Sequence, residues 1–207
     1  MKRCYVTTIP LQGRNDLAKN IYRSKANAEE IETRFPILQV LRNTLQDGDE
    51  AFIIAIRSEN GDTLRNFGYL KEELQSLGLT EDHIRELPMP DEQDSSTLIR
   101  LCRELCDLLP EKGCAYMDIT YGTKTVPLVQ LAALTCAAAT HEELEVGGVC
   151  YGEMKRINGQ SVNRFILHDS TPLYHLQGLV GGIHGNKETA EMVYNQLVWM
   201  SQNKAEQ

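Results

Sequence analysis

The 207-residue chain lacks most of the short motifs that announce a chemistry. It has no GxxxxGK[ST] loop and no GxGxxG after its first predicted strand, so the standard phosphate and dinucleotide fingerprints are absent. No GxSxG elbow surrounds Ser24, Ser58 or Ser161, which leaves hydrolase-type nucleophilic catalysis without support. The histidines, at 83, 141, 168, 175 and 184, stand at no metal-ligand spacing. Six cysteines, at 4, 102, 106, 114, 136 and 150, include no CxxC pair. Cys102 and Cys106 fall one helical turn apart, half of a metal site, but no second pair with a matching histidine completes it. Buried or idle thiols are the plainer reading. The longest uncharged apolar stretch, 126–140, falls short of the ~18 residues a membrane span needs and carries Pro127 and Gln130. Nor does the basic start lead into an apolar run, because Thr7, Thr8, Pro10 and Gln12 interrupt it. These absences predict a reduced, soluble, cytoplasmic protein that holds no metal and no resident cofactor and does not engage a membrane.

What is present is ordinary globular material. Hydrophobic residues make up 42% and charged residues 24%, enough for one well-buried domain with a short appendage. The net charge of −8 argues against direct DNA binding through a global field. That charge is uneven. Residues 2–25 hold Lys2, Arg3, Arg14, Lys19, Arg23 and Lys25 against Asp16 alone. A basic segment on an acidic body is either a solvated face or one wall of a local anion site.

Residues 3–9 alternate as a first strand ending at Pro10, and 11–34 read as a polar loop containing a short helix. Pro36 opens a helix that Asp47-Gly48 stops. AFIIAI within 50–57 is a strand buried on both faces. After a turn at 58–62, residues 64–77 are helical, and 83–89 form a short strand. Asp94-Ser95-Ser96 caps a helix closed by Pro110, and 114–119 form another buried strand. Thr125 caps the helix that follows, with Pro127 in its first turn; apolar on nearly every side, that helix is expected to be sandwiched. Residues 145–151 and 163–167 form a hairpin through Asn158-Gly159. A Gly-rich bend with Gly178, Gly181, Gly182 and Gly185 then leads to a last helix over 187–200. The order predicts an α/β fold: a Rossmann-like, mostly parallel sheet flanked by helices, with an antiparallel edge hairpin and a helical tail. The expected division is 1–170 for the core α/β domain and 171–207 for the helical tail.

In such sheets ligands bind beyond the carboxyl ends of the strands. The loop from Asp118 to Thr125 has the richest chemistry there. Thr120, Thr123 and Thr125 supply hydroxyls, Lys124 an ammonium, Gly122 a tight turn, and the next helix its N-terminal N–H groups. A Thr-rich cap on a buried helix is equally at home as pure structure, and Asp118 can serve simply to tie up loop amides.

The string Met117-Asp118-Ile119-Thr120-Tyr121-Gly122-Thr123-Lys124-Thr125-Val126-Pro127 resembles the Asp-x-Thr-His-Gly element of CRISPR-associated Rossmann-fold (CARF) domains, with Tyr121 in the place of the histidine. The Thr7-Thr8-Ile9-Pro10 strand end, the Tyr22-Arg23 pair before Pro36, and Val149-Cys150-Tyr151-Gly152 are similar as well. The resemblance implies a homodimeric sensor of cyclic oligoadenylate, the second messenger of type III CRISPR antiviral defence, with tetra-adenylate the favoured ring. The ring would lie across the two-fold axis. Ligand contacts would fall on Thr8, Gln12 and Arg14, and on Asp118, Thr120, Tyr121, Gly122, Thr123, Lys124 and Thr125, with Ser58 and Asn60 secondary. Tyr121 would stack on an adenine or pack against a neighbouring loop.

Cleavage of the ring through its own 2′-hydroxyl, without metal, is the companion activity the resemblance implies. Lys124 would then stabilise developing charge, while the His-to-Tyr change removes the obvious base. A nucleotide-dependent α/β enzyme unrelated to CRISPR, and a docking domain with a degenerate pocket, are the readings of other classes. The tail is too short for an effector and has no RxxxxH nuclease pattern. The chain is therefore read as a stand-alone sensor or ring nuclease, or as the sensor piece of a protein whose C-terminal effector is absent here. The 194–200 face would then pack on its own sheet, across the dimer, or on that effector.

Overall fold

A computed structural model describes residues 1–13, 17–23, 29–157, 160–183 and 186–203. The strands are β1 (Lys2–Thr8), β2 (Asn20–Arg23), β3 (Glu32–Thr33), β4 (Glu50–Arg57), β5 (Ile84–Pro88), β6 (Lys112–Asp118), β7 (Glu143–Ile157) and β8 (Gln160–Asp169). The helices are α1 (Pro36–Thr44), α2 (Gly61–Ser76), α3 (Ser95–Leu108), α4 (Thr125–Thr140), α5 (Thr171–Gly181) and α6 (Lys187–Asn203). The strands form one mixed sheet in the order β3-β2-β8-β7-β6-β1-β4-β5. From β5 to β7 the pairing is parallel, and the β7–β8 hairpin is antiparallel. The α/β class expected from the sequence is the class observed.

The apolar run of β4 explains its central place. Ile53 and Ala55 face one layer of helices while Phe52, Ile54 and Ile56 face the other, and none of these is exposed. The first layer is α1 and α2, through Phe35, Ile37, Leu38, Leu41, Phe67, Leu70 and Leu74. The second is α3 and α4, through Leu101, Leu105, Val126, Val129, Ala133, Leu134 and Ala137. Full burial of each such side chain contributes about 1.5–3 kcal/mol, so the two layers hold the sheet between them. Asp94 caps α3, accepting from the Ser96 and Thr97 amides.

Several local expectations are corrected. Within 11–34 the described residues contain two short strands and no helix; β2 pairs in parallel with β8, so the segment after β1 reaches the far edge of the sheet. α4 is not sandwiched. Its inner face is buried, but Leu128 is 67% exposed and Ala132, Thr135 and Cys136 are exposed as well. The segment expected to bend after Pro172 is the helix α5, with Gly178 inside it. The Asn158-Gly159 turn and Gly185 lie outside the described residues, although Ile157 and Gln160 pair across that turn.

β7 carries one extra residue against β6: Ala115 pairs with Val146, but Tyr116 pairs with Gly148. Gly147 sits at this irregularity, where an added Cβ would lie against Cys114 Sγ and 2.5 Å from the Tyr116 ring. Gly147→Ala is expected to overpack the site by about 1–3 kcal/mol and to lower the melting temperature by roughly 2–4 °C per kcal/mol. A variant that melts with the wild type would refute this packing.

Candidate functional site

After β2 and β3 at the far edge, the chain returns through α1 to place β4 and β5 on one side of β1, then builds β6 and β7 on its other side. The strand order reverses between β1 and β6, and in open α/β sheets this is where the carboxyl ends diverge and leave a crevice. Here Thr7 and Thr8 end β1, Asp118 ends β6, and the loop from Ile119 to Lys124 leads into α4.

Asp118 is fully buried and holds this junction together. Its carboxylate accepts from Thr7 Oγ1 at 3.0 Å, from the Thr120 amide at 2.9 Å and from the Thr120 hydroxyl. The backbone amide of Ile37, in the first turn of α1, adds a weaker favourable interaction with the carboxylate. Phe35, the N-cap of α1, makes no side-chain cap bond, so a carboxylate from another element serves that helix end. Burial pushes the Asp118 carboxyl above its ordinary range, and the hydrogen bonds from Thr120 and Thr7, with the weaker Ile37 interaction, oppose that rise.

Thr120 continues the network. Its hydroxyl, donating to Asp118, also accepts the N–H of Gly152 at 2.8 Å, which ties the loop to β7. Tyr121 turns toward the α1 side. Its hydroxyl donates to the Arg34 carbonyl at 2.9 Å and lies 3.4 Å from that of Tyr22. Burial raises both phenols, Tyr22 to about 12, so each remains a protonated donor. Below them Arg34 pairs with Glu73 at 2.7 Å and lies over the Tyr69 ring.

Gly122 adopts φ +105°, and an added Cβ would stand 3.0 Å from Val126 and 3.2 Å from Thr8. Only glycine turns there without strain. Thr8 itself is 1% exposed, and its hydroxyl has no hydrogen-bond partner among the described residues. Thr8 turns its methyl toward Gly122, and its buried O–H is a donor without an acceptor among the described residues.

Lys124, not Thr125, is the N-cap of α4; Lys124 is exposed and has no ion-pair partner among the described residues. The Thr125 hydroxyl and that of Thr123 both donate to the side-chain carbonyl of Gln93, Thr123 at 2.9 Å. On the other side of β1, Ser58 is buried against Thr63, and Asn60 caps α2 by accepting from the Thr63 amide. The backbone carbonyl of Gln12 accepts from Asn66, and its side chain is exposed. Arg14 lies outside the described residues.

Three contributors escaped sequence reasoning. Thr7 was masked by its neighbour Thr8, and Gln93 sits one residue before the Asp94 cap in the β5–α3 loop. Gln130 is the polar residue inside an otherwise apolar helix, which was the available signal. Its amide donates to the Asp118 carbonyl at 3.0 Å, while its side-chain carbonyl is buried without a partner.

The arrangement provides hydroxyls, first-turn amides and the Lys124 ammonium beside the hydrogen-bonded carboxyl of Asp118. That is donor chemistry for an anion. Among the described residues no group of His, Cys, Asp and Glu is placed to hold a metal, and no helix is long and apolar enough to cross a membrane. No protein-family model matches the sequence, and no curated protein matches it.

Thr120→Val removes the hydroxyl that Asp118 and Gly152 share. It leaves a buried carboxylate short of one donor and an N–H without an acceptor, costing about 1–3 kcal/mol. The expected result is a lower urea midpoint at unchanged m-value, and an unchanged midpoint would contradict the bracket.

Proposed function

We propose that this protein is a homodimeric sensor of cyclic oligoadenylate, binding the ring at the carboxyl edge of the sheet between β1 and β6. The single observation that carries the reading is the unpartnered buried hydroxyl of Thr8, a residue whose methyl packs against the Gly122 turn. A bound phosphodiester would supply the missing acceptor. Lys124 stands at the N-cap of α4 with no ion-pair partner among the described residues, and a charge-assisted bond to phosphate is the stronger kind. The resemblance of the Asp118–Pro127 string to CARF domains names the ligand class.

In this reading the roles divide. Asp118 and Thr120 are positioning residues, since their polar atoms are already engaged with each other, with Thr7 and with Gly152. Thr8, Gly122, Thr123, Lys124 and Thr125 face the phosphates. Thr123 and Thr125 exchange Gln93 for phosphate as their acceptor. Tyr121 braces the loop from beneath through Arg34. A ring of several phosphates presents the same group repeatedly, so two copies of one loop related by a two-fold axis complete the site. The tail from 171 onward then lies available for dimer packing or for a C-terminal effector in a longer protein.

Calorimetric titration with cyclic tri-, tetra- and hexa-adenylate tests the reading. One ring, with tetra-adenylate favoured, should bind at one per two chains. Lys124→Ala should weaken it at least tenfold, as loss of about 1.5–3 kcal/mol from a charged hydrogen bond requires. Absence of heat with all three rings would overturn the proposal.

A further inference from the structure

The Cys102–Cys106 pair has a neighbour that the sequence does not reveal. α3 and α4 are crossovers between parallel strands, β5 to β6 and β6 to β7, so they run in the same direction on one face of the sheet. They are pinned together at both ends. At the N-terminal end the Thr123 hydroxyl donates to the Gln93 side chain at 2.9 Å, and Thr125 shares that acceptor. At the C-terminal end His141 Nδ1 lies 3.1 Å from the Pro110 carbonyl oxygen. Thr123 follows Gln93 by thirty positions and His141 follows Pro110 by thirty-one, so the two helices keep one register from end to end. Cys136 also follows Cys106 by thirty. The register sets these two cysteines level across the seam.

Their faces agree with their level. On α4, Thr125, Val129, Ala132 and Cys136 fall at the i, i+4, i+7, i+11 spacing of one stripe, and Thr125 marks it as the stripe that meets α3. On α3, Cys106 is buried in the core cluster that contains Val129, Ala133 and Ala137, and Cys102, one turn earlier, packs against that cluster. Small side chains on both helices allow a close approach of their axes. Burial, and then the nearness of Cys136, push the Cys106 thiol up to about 11. Cys102 is raised by the same two causes in the same order. Cys136 itself is exposed. Among the described residues none of the three belongs to a group placed to hold a metal. What they offer is one accessible sulfur backed by a buried one.

We propose that Cys106 and Cys136 are a reversible thiol–disulfide pair that staples α3 to α4 on exposure to peroxide. The exposed Cys136 sulfur attacks the peroxide O–O bond and becomes a sulfenic acid, while the other oxygen leaves with the Cys136 proton as water. The Cys106 sulfur then attacks the sulfenic sulfur. The S–S bond forms, the S–O bond breaks, and the departing hydroxide takes the Cys106 proton and leaves as water. Two thiols and one peroxide thus give one disulfide and two waters, the thiols losing the two electrons that the peroxide gains. Burial sets the order, because a thiol that holds its proton reacts slowly with peroxide and Cys106 is left as the resolving partner. A dithiol reductant reverses the bond by exchange. The closed segment, 106–136, carries β6 and the whole turn from Ile119 to Lys124, so the modification constrains the part of the chain that forms the crevice. The pair responds to peroxide whatever ligand that crevice takes.

The test treats the reduced full chain with hydrogen peroxide, blocks the remaining thiols with N-ethylmaleimide in urea, and reads intact mass and digested peptides by mass spectrometry. The expected product has four of its six cysteines alkylated and one peptide pair joined at Cys106 and Cys136, which dithiothreitol separates. Cys136→Ser should abolish that bond, and Cys102→Ser should leave it in full. Cys106→Ser should leave Cys136 as a sulfenic acid that dimedone captures. The wild-type peptide map decides the matter whether or not the Cys106 variant folds. Peroxide that joins Cys136 to Cys102, joins two chains through Cys136, or leaves Cys106 open to alkylation in the wild type overturns the proposal.

Discussion

Everything at the carboxyl edge depends on one buried carboxylate. Asp118 is removed from water, and an unpaired charge there would cost several kcal/mol. The cost is offset because its acceptor positions are filled by Thr7 of β1 and by the amide and hydroxyl of Thr120, with a weaker contribution from the Ile37 amide at the start of α1. No one of these bonds is strong by itself. Together the bonds from Thr7 and Thr120 tie the end of β1 to the loop before α4 at a single point.

The geometry of the crevice follows from that anchor. With Thr120 held, its hydroxyl reaches Gly152 and sets the distance between the loop and the β7–β8 hairpin. Tyr121 is directed inward to Arg34, and Gly122 takes the positive φ that brings the chain back over Thr8. What faces outward there is the Lys124 ammonium at the start of α4, while the Thr8 hydroxyl is buried without an acceptor among the described residues. Preorganised donors of this kind select anions whose charge is spread over several oxygens, which is the property of a phosphodiester. The proposed sensor reading draws on that preorganisation.

Much of the fold was legible because burial leaves a period in the sequence. The unbroken apolar run of β4, the Asp94 cap of α3 and the strand–loop–helix string from Met117 to Pro127 were each readable from residues alone. β2 and β3 were not, since strands of four and two residues in a polar segment carry too little pattern, and what fixes them is tertiary pairing with β8. α4 misled because an Ala-rich outer face reads as buried when it is exposed. In the site, residue types pointed to Thr120 and Asp118 but could not distinguish ligand contact from internal bracing, which depends on where each lone pair goes. Gln93 lies far from the string in sequence and joins it only through the fold.

The account's central claim is that a cyclic oligoadenylate is held by the turn and first helical residues that Asp118 anchors. Hydrogen–deuterium exchange of the full chain, with and without saturating cyclic tetra-adenylate, tests it directly at the level of individual amides. The account predicts slowed exchange across residues 120–126 and at the end of β1. Protection confined to another part of the molecule, or no protection anywhere, would contradict it.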